Sequence, residues 1–186
     1  MTSRRFVLLD RDGTINVERE YLSDPHGLEL LPNAAVGMRH MRSLGLGLIV
    51  ITNQSGIGRG YFDKTTLETI HERLRQLLGQ EGVVLDGIYV CPHHPEWGCH
   101  CRKPQSALIE QATREHRFDA TQAFVVGDKA IDVAMGRRVG ATTILVRTGY
   151  GAETAAKSVR TWNYDAEDLA DAAQIIEEEL NVDTGR

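Results

Sequence analysis

The chain has 186 residues and a mass of 20.7 kDa, the size of one ordinary domain, and we predict a single domain over residues 1–186. Its 41% hydrophobic and 25% charged residues exclude disordered, collagen-like and coiled-coil chains, and a formal net charge of −5 argues against nucleic-acid binding. No apolar run approaches the ~20 residues of a membrane span and no secretory signal is visible, so we expect a cytoplasmic protein without a membrane partner.

Short apolar runs alternate with longer amphipathic stretches along the chain. In chain order, the pattern predicts strands at Phe6–Leu9, Leu46–Ile51, Gly87–Val90, Ala123–Val126 and Thr143–Val146. Between and after them it predicts helices at Ala34–Leu44, Lys64–Leu78, Ser106–His116, Ile131–Val139 and Ala166–Leu180. Repeated strand–helix units, with strands that show little polar alternation, predict an α/β fold with a doubly wound parallel sheet.

Reactive residue types follow four of the predicted strands. Asp10 follows the first strand, Thr52 the second and Cys91 the third, and Asp128 stands shortly after the fourth. In an open α/β sheet, ligands bind outside the carboxyl ends of the strands, where the strand order reverses. We therefore expect a binding site at this edge of the sheet.

The first of these positions carries two carboxylates, in the run Leu-Asp-Arg-Asp-Gly-Thr at residues 9–14. Two carboxylates two residues apart can converge on one cation while playing different roles. Asp10 could serve as a nucleophile and Asp12 as a general acid and base. Gly13 permits the tight path with which the chain leaves the sheet. A loop with solvated acidic side chains is the alternative interpretation.

Donor and cationic groups follow the other strands. A hydroxyl, two amides and small turn-forming residues at positions 52–56 could donate to phosphate oxygens, and an ordinary polar turn is the alternative. Arg102 and Lys103 precede a predicted helix, where they could balance an anionic ester or form a surface basic pair. Asp128 and Lys129 add a carboxylate and an ammonium group, for which a salt-bridged helix start is the alternative.

The three cysteines all fall between residues 91 and 101, in the run Cys-Pro-His-His-Pro-Glu-Trp-Gly-Cys-His-Cys. A Cys-x-His pair and a Cys-x-Cys pair, separated by five residues, offer three thiolates and an imidazole. That set suits a closed tetrahedral zinc site, and a closed site is structural rather than catalytic. Three unrelated buried thiols are the alternative.

Taken together, these segments resemble the haloacid dehalogenase (HAD) superfamily of aspartate-nucleophile phosphatases, in the order acidic pair, threonine, lysine, acidic residue. The resemblance is closest to the D-glycero-D-manno-heptose 1,7-bisphosphate phosphatases. It is carried by the runs Asp-Arg-Asp-Gly-Thr-Ile-Asn (10–16), Thr-Asn-Gln-Ser-Gly-Ile (52–57), Cys-Arg-Lys-Pro (101–104), Gly-Asp-Lys (127–129) and Leu-Val-Arg-Thr-Gly (145–149). It implies a Rossmann-like HAD core, and the spacing of the runs leaves no room for a large cap domain.

The resemblance implies a role for individual residues. Asp10 would attack phosphorus, and Asp12 would protonate the departing sugar oxygen and then activate water. Thr52 and Lys103 would hold the transferring phosphoryl group, and Mg²⁺ would be bound by Asp10, by the Asp12 backbone carbonyl and by Asp128. The implied substrate-binding residues are Glu18, Tyr21, Asn53, Gln54, Ser55, Arg102 and Lys129. The implied ligands of a structural Zn²⁺ are Cys91, His93, Cys99 and Cys101.

The leading hypothesis is a Mg²⁺-dependent phosphatase that removes the C7 phosphate of heptose 1,7-bisphosphate, in nucleotide-activated heptose synthesis for surface glycans. Its partner would be a small anionic sugar phosphate, and we expect a monomer that binds no nucleic acid. Histidinol-phosphate hydrolysis is the alternative within the same class of enzyme. A receiver-type signalling domain, which also carries a strand-end aspartate, and a zinc module that grips nucleic acid are the alternatives outside it.

Overall fold

Six parallel strands form the centre of the computed structural model, which describes residues 4–183 and 185. The strands are β1 (Phe6–Leu9), β2 (Gly47–Asn53), β3 (Gly87–Cys91), β4 (Phe124–Gly127), β5 (Thr142–Val146) and β6 (Tyr164–Ala166). Their order across the sheet is β3-β2-β1-β4-β5-β6. Strand order reverses between β1 and β4, which is the point where open α/β sheets bind ligands.

Helices cover both faces of this sheet. They are α1 (Ala34–Ser43), α2 (Lys64–Gln80), α3 (Ala107–His116), α4 (Ala130–Arg138), α5 (Gly151–Lys157) and α6 (Leu169–Asp183). Alternate residues of β1 face opposite ways: Val7 and Leu9 join a core with α1, α2 and α6, whereas Phe6 and Leu8 join a core with α3 and α4. The predicted α/β fold with a doubly wound parallel sheet is therefore confirmed.

The carboxyl-terminal part of the chain differs from the sequence-based prediction. We predicted no element at α5 or β6, and we placed the start of the last helix at Ala166. Ala166 instead pairs with Val146 in the sheet, and α6 begins after Asp168, whose carboxylate accepts hydrogen bonds from the backbone N–H groups of Ala170 and Asp171. Sheet pairing and this helix cap override the helix propensity of alanine.

The segments that follow β1 and β3 carry little regular structure. Before the next helix begins, their described residues form a brief 3₁₀ turn in each, at Pro25–Gly27 and Pro95–Trp97, and isolated bridges that pair Asn16 with Asp12 and Leu30. No loop there holds a cap domain, as predicted. No helix of residues 4–183 combines the length and apolar character needed to cross a membrane.

Candidate active site

A small cavity of about 80 Å³ opens at the carboxyl edge of the sheet. Its lining consists of Asp10, Asp12, Glu18, Glu20, Thr52, Asn53, Lys103, Lys129 and Ile131. The expected convergence of strand ends therefore holds for Asp10 and Thr52. Asp128 is fully buried beside Asp10, whereas Cys91 belongs to a separate cluster described below.

Lys103 joins two carboxylates in the floor of this cavity. Its Nζ lies 2.6 Å from Asp10 Oδ1 and 2.7 Å from Asp132 Oδ1, and all three side chains are buried. Burial alone would lower the pKa of Lys103, but the charges of Asp10 and Asp132 outweigh burial and raise it. Lys103 therefore carries a permanent positive charge next to Asp10. Asp132, which the sequence did not assign to the site, is the second partner of Lys103.

Crowded carboxylates beside this lysine form a site for a cation. Oxygen atoms of Asp10, Asp128 and Asp132 lie within 4.8 Å of one another, and Asp128 Oδ1 is buried without a hydrogen-bond partner. Burial and the charge of Asp10 raise the pKa of Asp128 to about 8. The raised pKa reflects the free-energy cost of ionising a buried carboxyl group beside another carboxylate. A bound cation would offset this cost, because its positive charge favours the ionised form. All donors are oxygen atoms, which is the ligand chemistry of Mg²⁺.

The Asp12 carboxylate accepts hydrogen bonds from three neighbouring side chains. Arg11 Nη2 lies 2.8 Å from it, Asn16 Nδ2 donates at 2.9 Å and Gln54 Nε2 at 2.8 Å. Burial acts to raise the pKa of Asp12, but the Arg11 charge and these hydrogen bonds outweigh it and hold the pKa below its usual value. Asp12 is therefore an ionised carboxylate in the free protein.

Arg11 is buried, which no pattern in the sequence indicates for a charged loop residue. Its Nη1 lies 3.2 Å from Nε2 of His71, which projects from α2. Burial and the neighbouring Arg11 charge lower the pKa of His71 to about 3. His71 is therefore neutral in the folded protein and accepts a hydrogen bond from Arg11.

This neutral histidine predicts acid-sensitive stability. Because the pKa of His71 is about 3 folded and 6.5 unfolded, the unfolded chain binds the extra proton, and stability falls as the pH drops below 6.5. We expect the wild type to lose about 2 kcal/mol more than His71→Gln between pH 7.5 and 5.0, since glutamine retains an acceptor for Arg11. Urea unfolding at the two pH values measures this, and equal losses would show that His71 is not the sensitive group.

The turn that aims Asp10 and Asp12 depends on Gly13. Its φ is +84°, and a Cβ atom there would lie 2.3 Å from Asp128 Oδ2. The Gly13 carbonyl accepts a hydrogen bond from Thr148 Oγ1 at 2.7 Å, and the backbone N–H of Tyr150 donates to Asp128 at 2.8 Å. The loop after β5 therefore packs against the turn after β1 and is hydrogen-bonded to it. Only glycine at position 13 allows this packing, because a Cβ atom there would overlap Asp128.

Three of the seven predicted substrate-binding residues line the cavity. The Glu18 carboxylate lies 2.7 Å from Lys129 Nζ, so the two side chains form one wall. The Asn53 carboxamide oxygen accepts from the backbone N–H of Lys103 at 3.1 Å. Asn53 therefore contacts the cavity and also positions the backbone that carries Lys103.

The other four lie behind or beside the cavity. Gln54 is buried and donates to Thr52 Oγ1 at 2.9 Å as well as to Asp12. Tyr21, Ser55 and Arg102 are not among the lining residues, although Tyr21 directly follows Glu20 of the lining. Gln54 thus links Thr52 to Asp12 behind the cavity surface, and Arg102 keeps a buried Nη1 without a hydrogen-bond partner.

The Cys-His cluster begins at Cys91, the last residue of β3, and continues on the loop that follows it. Cys91 Sγ is 3.5 Å from Cys99 Sγ, Cys101 Sγ is 3.7 Å from Cys99 Sγ, and His93 Nδ1 is 3.1 Å from Cys101 Sγ. With zinc–ligand bonds of about 2.0–2.3 Å, neighbouring atoms of a tetrahedral site stand roughly 3.5–3.8 Å apart. The two thiol–thiol distances match this spacing, and the His93 Nδ1 contact is shorter. Three thiols and an imidazole nitrogen on one centre are a ligand set for Zn²⁺ that leaves no position for a substrate.

This loop is attached to the cavity at several points. The Cys91 carbonyl accepts from the Gln54 N–H at 2.8 Å, and the Pro92 carbonyl accepts from the Gly58 N–H at 2.9 Å. Lys103 follows Cys101 by only two residues. Order in the cluster therefore supports the positions of Gln54 and Lys103.

Loss of the metal should destabilise this loop. We expect Cys101→Ser to lower zinc content and the melting temperature, because the site would lose a thiolate ligand and with it much of the binding free energy that orders the loop. Plasma emission spectrometry gives the zinc content, and calorimetry gives the melting temperature. Normal zinc stoichiometry in the variant would remove Cys101 from the ligand set.

Sequence comparison places this site among known proteins. The HAD-hydrolase-like family model matches residues 100–172. The chain is 37% identical over 182 residues to D-glycero-beta-D-manno-heptose-1,7-bisphosphate 7-phosphatase of Escherichia coli K12, covering 93% of this chain and 94% of the relative. It is 42% identical over 137 residues to the protein of the same name from Helicobacter pylori 26695, covering 73% and 79%.

Solved structures agree with the sequence relatives. The D,D-heptose 1,7-bisphosphate phosphatase from B. bronchiseptica, complexed with magnesium and phosphate, superposes with a TM-score of 0.88 at 33% identity, covering 94% of this chain and 99% of that one. The D,D-heptose 1,7-bisphosphate phosphatase from Burkholderia thailandensis gives a TM-score of 0.74 at 30% identity, covering 94% and 99%. The first of these structures contains magnesium, the ion that the oxygen donors around Asp128 suit in this chain.

Proposed function

This chain belongs to the D-glycero-beta-D-manno-heptose-1,7-bisphosphate 7-phosphatase family of HAD-like hydrolases, and from that premise we propose that it removes the C7 phosphate of heptose 1,7-bisphosphate. The named relatives favour this substrate over histidinol phosphate. The reaction supplies a heptose 1-phosphate for nucleotide-activated heptose and hence for surface glycans. It is a hydrolysis that uses Mg²⁺.

The first chemical step would be attack by Asp10. Its carboxylate oxygen forms a bond to phosphorus, the bond from phosphorus to the C7 oxygen breaks, and an aspartyl-phosphate results. Lys103 lies 2.6 Å from Asp10 Oδ1, so its charge is fixed beside the transferred group, and Thr52 presents a hydroxyl to the same cavity. Mg²⁺, which Asp10, the Asp12 backbone carbonyl and Asp128 would hold, would supply positive charge that offsets the charge of the phosphoryl oxygens.

Asp12 would transfer a proton in both half-reactions. It gives a proton to the departing sugar oxygen, and it then takes one from the water that attacks the aspartyl-phosphate and releases inorganic phosphate. In the free protein Asp12 is ionised, because Arg11 and Gln54 hold it so. The negative charge of an arriving phosphate raises the pKa of this carboxyl group, so that Asp12 takes up a proton from the solvent as the substrate binds and passes that proton to the C7 oxygen.

The observation that carries this proposal is the arrangement at the switch point of the sheet. Asp10 lies 2.6 Å from a buried lysine, beside carboxylate oxygens that can hold a cation and within reach of a second carboxylate, Asp12. A receiver domain stores its phosphate and needs no such second group, whereas Asp12 provides for its release. We accordingly propose turnover rather than storage.

A substrate panel tests the function. We expect kcat/KM for one anomer of heptose 1,7-bisphosphate to exceed that for histidinol phosphate, with activity lost after chelation of Mg²⁺ and restored by adding it. Preference for histidinol phosphate would overturn the proposal. Size-exclusion chromatography of the same sample tests the prediction of a monomer, and a salt-dependent DNA- or RNA-binding assay tests the prediction that no nucleic acid is bound.

A further inference from the structure

The cavity at Asp10 is too small for a whole sugar bisphosphate. Its volume is about 80 Å³, whereas pockets that enclose a complete small-molecule ligand measure roughly 300–1,000 Å³. If the substrate is a sugar bisphosphate, as proposed above, only the reacting phosphoryl group fits inside. The rest of the sugar and the second phosphate must lie across the rim.

The cations inside the cavity have no capacity left for a second phosphate. Lys103 is bound to Asp10 and Asp132, and Lys129 lies 2.7 Å from Glu18. Four carboxylate side chains line the cavity together with these two lysines, so a second dianion there would meet repulsion. A cation outside the cavity is needed.

Arg59 is placed to meet this need. It lies on the loop that follows Gln54, and its guanidinium carbon is 5.7 Å from the centre of the Tyr21 ring. Tyr21 is the residue after Glu20, which lines the cavity, so the Arg59 guanidinium contacts the segment that borders the cavity. Within residues 4–183, no carboxylate forms an ion pair with Arg59 and no acceptor takes a hydrogen bond from its side chain. All five of its N–H donors are therefore available.

The surroundings of Arg59 suit a phosphorylated sugar. Tyr21 and Tyr61 meet edge to face with ring centres 4.8 Å apart, and both are exposed, at 37% and 58%. Two exposed aromatic rings beside an arginine offer a surface for the apolar face of a sugar. The loop is held in place, since the Arg59 N–H donates to the Ser55 carbonyl and the Tyr61 N–H donates to the Gly56 carbonyl, each at 2.9 Å. Arg59 is thus presented from a fixed backbone.

We propose that Arg59 binds the second phosphate of a sugar bisphosphate, the one that is not cleaved, while Tyr21 and Tyr61 contact the sugar between the two phosphates. This residue makes the enzyme prefer a bisphosphate to a monophosphate of the same sugar. The inference rests on the proposed function and adds its basis for specificity.

The test compares heptose 1,7-bisphosphate with heptose 7-phosphate, which lacks the second phosphate. Arg59→Gln should lower kcat/KM for the bisphosphate roughly 10- to 100-fold, mainly through KM, since a charge-assisted contact is lost. It should leave kcat/KM for the 7-phosphate within about twofold of the wild type. Arg59→Lys should give an intermediate loss for the bisphosphate, because lysine keeps the charge without the planar fork.

Two further measurements make the result decisive. Heptose 1-phosphate, the product that retains the second phosphate, should inhibit Arg59→Gln more weakly than the wild type by a similar factor. Arg75→Gln, which removes an exposed arginine from α2, is the matched control and should change neither substrate. Equal losses for both substrates in Arg59→Gln, or an unchanged preference, would overturn the inference and leave the proposed function intact. A wild type that does not cleave the bisphosphate would overturn both.

Discussion

Asp10→Asn is expected to abolish turnover, with kcat at least about 10⁴-fold below the wild type, because an amide cannot attack phosphorus and form the intermediate. The fold should persist, since Lys103 keeps its ion pair with Asp132 at 2.7 Å when the Asp10 charge is removed. Phosphate release from heptose 1,7-bisphosphate measures the first effect, and thermal unfolding measures the second.

Residual activity in this variant is the informative outcome. If Asp10→Asn releases phosphate at more than about one hundredth of the wild-type rate, Asp10 is not the nucleophile, because the loss then matches that of a single electrostatic contact. A large fall in melting temperature would instead mean that the Asp10–Lys103 pair is needed for folding. The circular dichroism spectrum of the variant separates these two cases.

Lys103→Met is expected to damage both stability and catalysis. It leaves the buried carboxylates of Asp10 and Asp132 without their shared cation, which should cost about 3–5 kcal/mol in the free energy of unfolding. It should also lower kcat by at least about 10²- to 10³-fold, since a preorganised positive group is removed from the transferring phosphoryl group.

The loss of stability in Lys103→Met should depend on pH. Burial already raises the pKa of Asp132, and the charge of Lys103 opposes that rise, so removal of the lysine raises the folded-state pKa of Asp132 further above its unfolded value. Protonation therefore relieves the penalty, and the destabilisation should be smaller at pH 5.5 than at pH 8. Lys64→Met removes a lysine at the exposed start of α2 and serves as the control. If Lys103→Met unfolds at the same urea concentration as that control, the ion-pair account of the cavity floor is wrong.

The sequence predicted which strand ends bring the site residues together better than it predicted the contacts between their side chains. That Asp10 and Thr52 share an edge follows from parallel strands alone, because the carboxyl ends of β1 and β2 lie side by side. The contact between Lys103 and Asp10 joins residues 93 positions apart and depends on how the zinc-binding loop returns to the sheet. From the residues alone Lys103 could balance an anionic ester or belong to a surface basic pair, and only the family resemblance assigned it to the transferring phosphoryl group, since no local pattern encodes such a contact.

Residues with internal partners were the hardest to predict. From the sequence, Arg11 is expected to be an exposed cation of a loop, yet it is buried between Asp12 and His71. His71 is expected to be one more polar position on α2. Asp132 reads as an ordinary helix-start residue until α4 turns it towards Lys103. The burial of each of these side chains depends on tertiary packing. His71 contacts Arg11 from α2, and Asp132 contacts Lys103 from α4, so the sequence near Arg11 or Lys103 indicates neither partner.

The most direct test of the central claim is the structure of the protein with Mg²⁺ and beryllium fluoride, which mimics a phosphoryl group. We expect the beryllium to be bound to a carboxylate oxygen of Asp10, with Lys103 and Thr52 contacting its fluorides and Mg²⁺ beside Asp128. A fluoroberyllate attached to any other side chain would contradict the account.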